Sequence, residues 1–236
     1  MSTPVLSEAI NQAVTIIFSN DAFLWEIIFL SFRVSLSALA CSLLIGIPVA
    51  ILMTVYPFSG KKIIHIIIDT MMALPPVVVG LIVYLLLSRS GPLGIWGLLY
   101  TPTAMIIAQT LLITPIVIAL SLQLFHGHWE RLQEQLYMLG FKPHHCFRIL
   151  IRESKAGLIT VVLAAFGRAI AEIGAVMIVG GNIEHHTRVM TTAIAMETRQ
   201  GNLSLALALG IILILLALFI NAAVHLTSRY SGKFAP

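Results

Sequence analysis

Apolar residues in this chain come in long runs, not in the short periodic stretches of a water-soluble core. The first run extends from Phe23 to Tyr56. The others cover Ile63 to Leu87, Thr103 to Phe125, Gly157 to Gly181 and Leu203 to Leu226. Each reaches the roughly 20 residues that cross the hydrocarbon core of a bilayer. The pattern predicts an all-α integral membrane protein with about five transmembrane helices, at about 29–56, 63–87, 103–125, 157–181 and 203–226. Arg33 interrupts the first run, which leaves Val34 to Val55 as its embedded part, with Gly46 and Pro48 placed to loosen or kink it. Pro75 and Pro76 are candidate hinge residues: together they remove two backbone donors, so the second span is expected to be kinked or broken there. Pro115 lies inside the third. Residues 1–22 carry Ala9, Ile10, Ala13, Ile16 and Ile17 on one side; a short interfacial helix fits them, but the pattern leaves its formation open.

The longest polar interval is Trp129 to Lys155. Leu132, Leu136 and Leu139 keep a helical spacing and Gly140 follows; Phe147, Leu150 and Ile151 resume it after Pro143. Two short amphipathic helices joined at Gly140-Phe141-Lys142-Pro143 are expected. A second polar loop is expected over Asn182 to Asn202. The simplest division is one membrane domain, 27–226, between a segment 1–26 and a tail 227–236.

Composition agrees with the pattern. The 236 residues are 58% hydrophobic and 10% charged, with mean hydropathy +0.98; a soluble domain carries about 25% charged residues. The net charge of +4 reflects sidedness, not nucleic-acid binding. Nine Lys and Arg (Lys61, Lys62, five in the 129–155 loop, Arg229 and Lys233) fall on one side, against three (Arg89, Arg188, Arg199) on the other. The bias places the N-terminus outside, and the 129–155 loop and the C-terminus in the cytoplasm. Cys41 and Cys146 suggest neither a disulfide nor a metal site. The pairs His144-His145 and His185-His186 fall on opposite sides and lack completing ligands, so no metal is expected.

In the fourth run Gly167, Ala171 and Ala175 form a small-residue stripe suited to close helix packing. Arg168 and Glu172, four apart, would share a helix face. They read as a buried ion pair, and Arg168 alternatively as a source of positive potential on a dianion path. Gly180-Gly181-Asn182 reads as a helix end, a plain C-cap or a transient anion contact. Thr191 and Thr192 offer hydroxyls to an oxyanion or to a helix cap. Asp69 reads as an interfacial residue. No Gly-x-x-x-x-Gly-Lys-Ser/Thr pattern occurs.

Glu134-Gln135-Leu136, three residues, then Gly140 resembles the coupling motif of ABC importer permeases, which reads Glu-Ala-Ala, three residues, Gly, nine residues, Ile, one residue, Leu-Pro. Leu150 stands at the isoleucine position. Both alanines are replaced, and Arg152-Glu153 stand for the closing Leu-Pro. The stretch Ala165-Phe166-Gly167-Arg168-Ala169-Ile170-Ala171-Glu172-Ile173-Gly174-Ala175-Val176-Met177-Ile178-Val179-Gly180-Gly181-Asn182-Ile183 is similar to oxyanion permeases for tungstate and molybdate. The continuation Thr187 to Thr198 and Gly201-Asn202-Leu203 is nearest the tungstate type. The similarity runs from about Phe29 to Val224.

The resemblance implies a type I ABC importer permease fold and import of a small oxyanion, tungstate first, molybdate or a sulfate-like anion second. It implies a coupling helix at Glu134, Leu136, Leu139 and Gly140, docked on a separate ABC ATPase subunit that holds ATP and Mg. It further implies a second copy of the chain, an extracytoplasmic oxyanion-binding protein, a place in the inner membrane, and no catalysis or bound cofactor in this chain. Two other classes remain as alternatives. An ion-coupled secondary transporter would need a carboxylate relay or repeat symmetry, and only Asp69 and Glu172 qualify. A metal-dependent membrane enzyme would need ligands at one depth, which the histidine pairs do not supply.

Overall fold

The computed structural model describes residues 3–19, 21–141 and 143–232, with side chains over 8–19, 21–136, 138–141 and 146–223. Lys142 and Lys233, and the side chains of His144, His145 and Arg229, lie outside the described residues. Among the described residues the structure is entirely helical: α1 (Thr3–Phe18), α2 (Ala22–Val55), α3 (Lys61–Ala73), α4 (Pro76–Leu87), α5 (Pro102–Met138), α6 (Pro143–Glu153), α7 (Lys155–Ile170), α8 (Gly174–Gly180), α9 (Met190–Gln200) and α10 (Leu203–Gly232), with one 3-10 turn at Gly94–Trp96.

Three helices are long and apolar enough to cross a membrane: Ala22–Val55, Pro102–Leu136 and Leu203–Ala223. Two bent pairs qualify as broken spans, α3 with α4 (97°) and α7 with α8 (56°), which brings the number to as many as five. The first break follows from its prolines. Pro75 disfavours helical ψ at Leu74, and Pro76 does the same to Pro75. Both residues are extended, at φ −62, ψ 131 and φ −60, ψ 128. Pro76 then opens α4, where its missing N–H is no loss.

The second break was not anticipated. The fourth span was expected to be one helix over 157–181. Instead α7 stops at Ile170 and α8 starts at Gly174. The helical i,i+4 face expected for Arg168 and Glu172 therefore does not exist, and the Gly167-Ala171-Ala175 stripe is interrupted after Gly167. The third span departs in the opposite direction. The separate short helix expected after Trp129 is the continuation of α5, 37 residues without a break. No proline falls between Phe125 and Glu134; the one weak point is Gly127, and the good helix formers of Glu130 to Glu134 carry the helix past it, with His126 3.3 Å from Glu130 one turn on.

The chain forms two compact units, with α2, α5, α7 and α10 contributing to both. Unit 1 comprises Met1–Ala38, Pro75–Gln109 and Ala169–Phe219; unit 2 comprises Leu39–Leu74, Thr110–Arg168 and Ile220–Pro236. In unit 1 the tightest packing joins α4 to α8. A Cβ on Gly80 would stand 2.7 Å from the Cα of Ala175, so the two backbones touch. Tyr100 donates its N–H to the Val179 carbonyl at 2.9 Å and fixes the loop before α5 against the same helix. In α1, Ala9 and Ala13 are buried, and Gln12 accepts a hydrogen bond from Ser204 at the start of α10. In unit 2, Ile51, Ile68, Phe125, Trp129, Leu136, Cys146 and Leu150 belong to one core cluster. The α6 stripe thus packs as its spacing suggested.

Gly80→Ala places a methyl group against backbone that cannot move aside. Overpacking of this kind costs on the order of 1–3 kcal/mol. Gly210→Ala in α10 meets nothing within 4 Å. Thermal unfolding in detergent is expected to show a lowered Tm for Gly80→Ala and an unchanged or raised Tm for Gly210→Ala.

Candidate functional site

The break between α7 and α8 gathers polar groups inside an apolar unit. Glu172 is buried, 4% exposed. Its Oε1 accepts the Ala175 N–H at 3.2 Å, which caps α8. Its own carbonyl accepts the Thr191 hydroxyl at 2.8 Å. Gln109 Nε2 donates to the Ala169 carbonyl at 3.1 Å, and the Glu172 N–H reaches that same carbonyl at 3.2 Å. The Met190 N–H donates to the Ser31 hydroxyl at 2.8 Å, while Ser31 donates to Ile27. Ser31, Ser35, Gln109, Glu172 and Thr191 surround a small cavity of about 10 Å³. The Gln109 Oε1 is buried and finds no acceptor-satisfying donor among the described residues. About one water fits such a space; a tetrahedral oxyanion does not.

The segment after α8 differs from the expected outer loop. Gly181 caps α8 in the left-handed region at φ 71, and its N–H bonds to Met177. Gly180 offers its carbonyl to the Thr187 hydroxyl at 2.6 Å. Asn182, also at positive φ, donates to Met196 Sδ at 3.0 Å. Residues 190–200 are then helical, and their first four residues are buried. Thr192 accepts the Val189 N–H at 3.1 Å and is engaged in the helix cap. Glu172, Ala175 and Thr191 are thus brought together; Thr192 is turned to its own cap; Pro75 and Pro76 act on the backbone at the first break. Ala171 is exposed, and Gly167 packs loosely, its Cβ position 3.7 Å from Ile220. Arg168 lies on the last turn of α7, half-buried.

Arg188 and Glu197 are each only 7% exposed, with Nη1 and Oε1 3.8 Å apart. Arg188 also lies 3.7 Å from Glu184 and 5.8 Å over the ring of Phe23. Asn202 donates to the second Glu197 oxygen at 2.8 Å. Nearby, His185 pairs with Glu26 at 2.8 Å. The Glu26 carboxylate raises the His185 pKa, first through the hydrogen bond and then through its charge. No three His, Cys, Asp or Glu converge on a metal-sized site among the described residues.

At the other end of α5, Leu136 is buried but Leu139 is not. Glu134 and Gln135 are exposed, with Met138 87% and Leu139 73% exposed beside them. Leu139 therefore leaves the apolar face that Leu132 and Leu136 form, because the helix ends there. Gly140 takes φ 73, and the Phe141 N–H closes back on the Leu136 carbonyl at 3.0 Å. This is a Schellman-type stop, which favours glycine at the left-handed position. The result is a polar helix tip that presents two large apolar side chains.

Residues 42–230 match the family described as binding-protein-dependent transport system inner membrane component. The chain belongs to this family. It is 41% identical over 220 residues to the tungstate uptake system permease protein TupB of Peptoclostridium acidaminophilum, covering 93% of this chain and 96% of the relative. It is 42% identical over 208 residues to a probable anion ABC transporter permease protein of Haloferax volcanii (86% and 90%), and 42% over 178 residues to TupB of Campylobacter jejuni (74% and 73%). The fold matches a subunit of the inward-facing MetNI methionine ABC transporter, with TM-score 0.66 at 15% identity over 96% of this chain and 99% of that one. The permease is thus an inner membrane transport component with the type I importer fold, in a family whose members work with an ABC ATPase and a substrate-binding protein.

Sequence reasoning missed Gln109, Ser31 and the Arg188–Glu197 pair. Gln109 carried a signal, as a lone amide in an apolar run that requires a partner. Arg188 and Glu197, nine residues apart, share no helical or strand period.

Two outcomes follow. Glu197→Leu leaves Arg188 buried with the more exposed Glu184 as its one remaining carboxylate among the described residues, and breaking a buried pair costs about 3–5 kcal/mol. Replacing both, as Arg188→Met with Glu197→Leu, is expected to restore most of the Tm lost by the single variant. The His185–Glu26 pair behaves differently with pH. Because the folded pKa of His185 is raised, its stabilisation is complete below the ordinary value of about 6.5 and is lost as pH rises through the raised value. Tm against pH is expected to show this decline, and Glu26→Gln to flatten it.

Proposed function

We propose that the permease imports tungstate, as the membrane subunit of an ATP-driven transporter. The observation that carries this reading is its near-full-length similarity to two tungstate uptake permeases. Two copies form the pore, and each receives the anion from an extracytoplasmic binding protein. The N-terminus lies outside and the C-terminus in the cytoplasm, as the Lys and Arg bias supports. The permease holds no nucleotide; ATP and Mg are bound by a separate ATPase, in keeping with the lack of a phosphate-binding glycine loop in its sequence.

The tip of α5 docks that ATPase. Glu134 and Gln135 give it a polar face, and Met138 and Leu139 provide apolar contact, a combination suited to a helix entering a groove. The Schellman stop at Gly140 and the buried Leu136 hold the tip rigidly, so a displacement of the ATPase is passed on as rigid-body motion. Arg168 and Glu172, Gly180 and Asn182, and Thr191 and Thr192 serve the path less directly. Their polar groups hold the broken helices beside it.

The docking role is tested by Glu134→Arg and Gly140→Pro. Proline, held near φ −65, cannot adopt the φ of 73 at this position. Both variants are expected to stay in the membrane, to lose the co-purifying ATPase, and to lose tungstate accumulation measured by elemental mass spectrometry of cells. Full uptake by both would remove the docking role. Accumulation of molybdate in preference to tungstate by the unaltered system would replace the anion.

A further inference from the structure

Unit 2 contains a cavity of about 830 Å³, walled by the end of α2, by α3 and by α5. It lies within the range of roughly 300–1,000 Å³ typical of small-molecule clefts, and it far exceeds what a tetrahedral oxyanion fills. Its walls are mostly apolar. It exists because α3 barely packs within its own chain. Ile68 is the only buried residue among its thirteen, while Ile63 and Ile66 are each 64% exposed.

The polar groups of the cavity are gathered at one end. Lys61 and Lys62 occupy the first turn of α3 and line it, and His65 follows one turn later. Gly60 caps this helix without a side-chain hydrogen bond, so the positive end of the helix dipole adds to the lysines. His126 lines the α5 wall, where Glu130 engages it. Asp69, two turns beyond the lysines, faces the same space. A free dianion drawn past Lys61 and Lys62 would meet this like charge. A ligand with its negative group at one end and hydrocarbon behind it would not.

We infer that this cavity is a binding site for an anionic phospholipid. The phosphate sits at Lys61, Lys62 and the N-terminus of α3, and the acyl chains lie against Ile63 and Leu122. Basic pockets between membrane helices on the cytoplasmic side hold anionic headgroups in this manner. The site rests on the cytoplasmic placement of Lys61 and Lys62 proposed above, but not on tungstate as the cargo.

The test is native mass spectrometry of the full-length permease after incubation with phosphatidylglycerol or phosphatidylcholine in detergent. Selective retention of phosphatidylglycerol is expected. Each lysine near a membrane surface contributes about fivefold to such binding, so Lys61→Gln with Lys62→Gln should weaken it about twenty-five-fold. His65→Trp, which fills the cavity and removes no lysine, should also reduce retention. Tm and tungstate uptake, measured alongside, separate a misfolded variant or a wrong transport reading from a wrong lipid site. Equal retention of both lipids, or undiminished phosphatidylglycerol in a folded double variant, would overturn the inference. So would displacement of the lipid by millimolar inorganic phosphate or tungstate, which would mark a free-anion site. Cross-linking of His65→Cys between two copies with no lipid retained would make the cavity a subunit interface instead.

Discussion

A backbone that breaks inside a bilayer must find new partners for the groups it frees, because no water is available to take them. In this permease the break between α7 and α8 meets that constraint with side chains. Glu172 takes the Ala175 N–H, Thr191 supplies a donor to the Glu172 carbonyl, and Gln109 supplies one to Ala169. Unsatisfied groups of this kind would each cost several kcal/mol. The break can therefore persist only while α5 and α9 stand where Gln109 and Thr191 can reach it. The first break, at Leu74 and Pro75, needs less support because proline leaves fewer donors to satisfy.

The same constraint explains why residues 182–202 are not an open loop. Thr191 has to be buried to serve Glu172, and the buried start of α9 carries Thr192 in with it. Met190 draws its N–H partner from Ser31 of α2. The next polar groups are buried as well, and so they are paired: Arg188 with Glu197, and Glu197 with Asn202. Hydroxyls that resemble anion ligands in the sequence are thus engaged in holding backbone. A path for the cargo along this region would be shaped by these elements more than lined by these hydroxyls.

What was legible in the sequence was whatever a single residue type dictates locally. The apolar runs marked the three long spanning helices and the two bent pairs, because bilayer thickness fixes the length such a run needs. Pro75 and Pro76 announced the first break, since no other residue constrains its predecessor so strongly. Gly140 announced the end of α5. The second break was hidden because Ile170 to Gly174 holds no proline, and its geometry depends on Gln109 and Thr191, 63 and 19 residues from Glu172 in sequence. The Arg188–Glu197 pair was hidden for the same reason. A charge count treats both as surface residues, and only the packing of α9 reveals that they are not. The continuity of α5 through Trp129 was misread because a change from apolar to polar composition was taken for an element boundary. A helix leaving a membrane changes its surroundings without changing its backbone.

The departures from the family's coupling motif have a physical sense in this light. Where the motif has its second alanine, the permease has Leu136, which is buried in the core of unit 2 with Phe125 and Trp129. A small residue there would leave the last turn of α5 attached by little more than its own hydrogen bonds. The leucine anchors that turn, and its carbonyl receives the Phe141 N–H that closes the helix. Gln135, in place of the first alanine, is exposed next to Glu134 and extends the polar face instead of the apolar one. At the far end of the motif, Arg152 and Glu153 are exposed on the last turn of α6, just before the buried Ser154 that joins α6 to α7, so charge is tolerated where the family has its closing Leu-Pro. The glutamate and the glycine are the two motif residues kept. They are the ones whose chemistry cannot be supplied by a neighbour: a charge at the tip, and a backbone angle of φ 73 that stops the helix there.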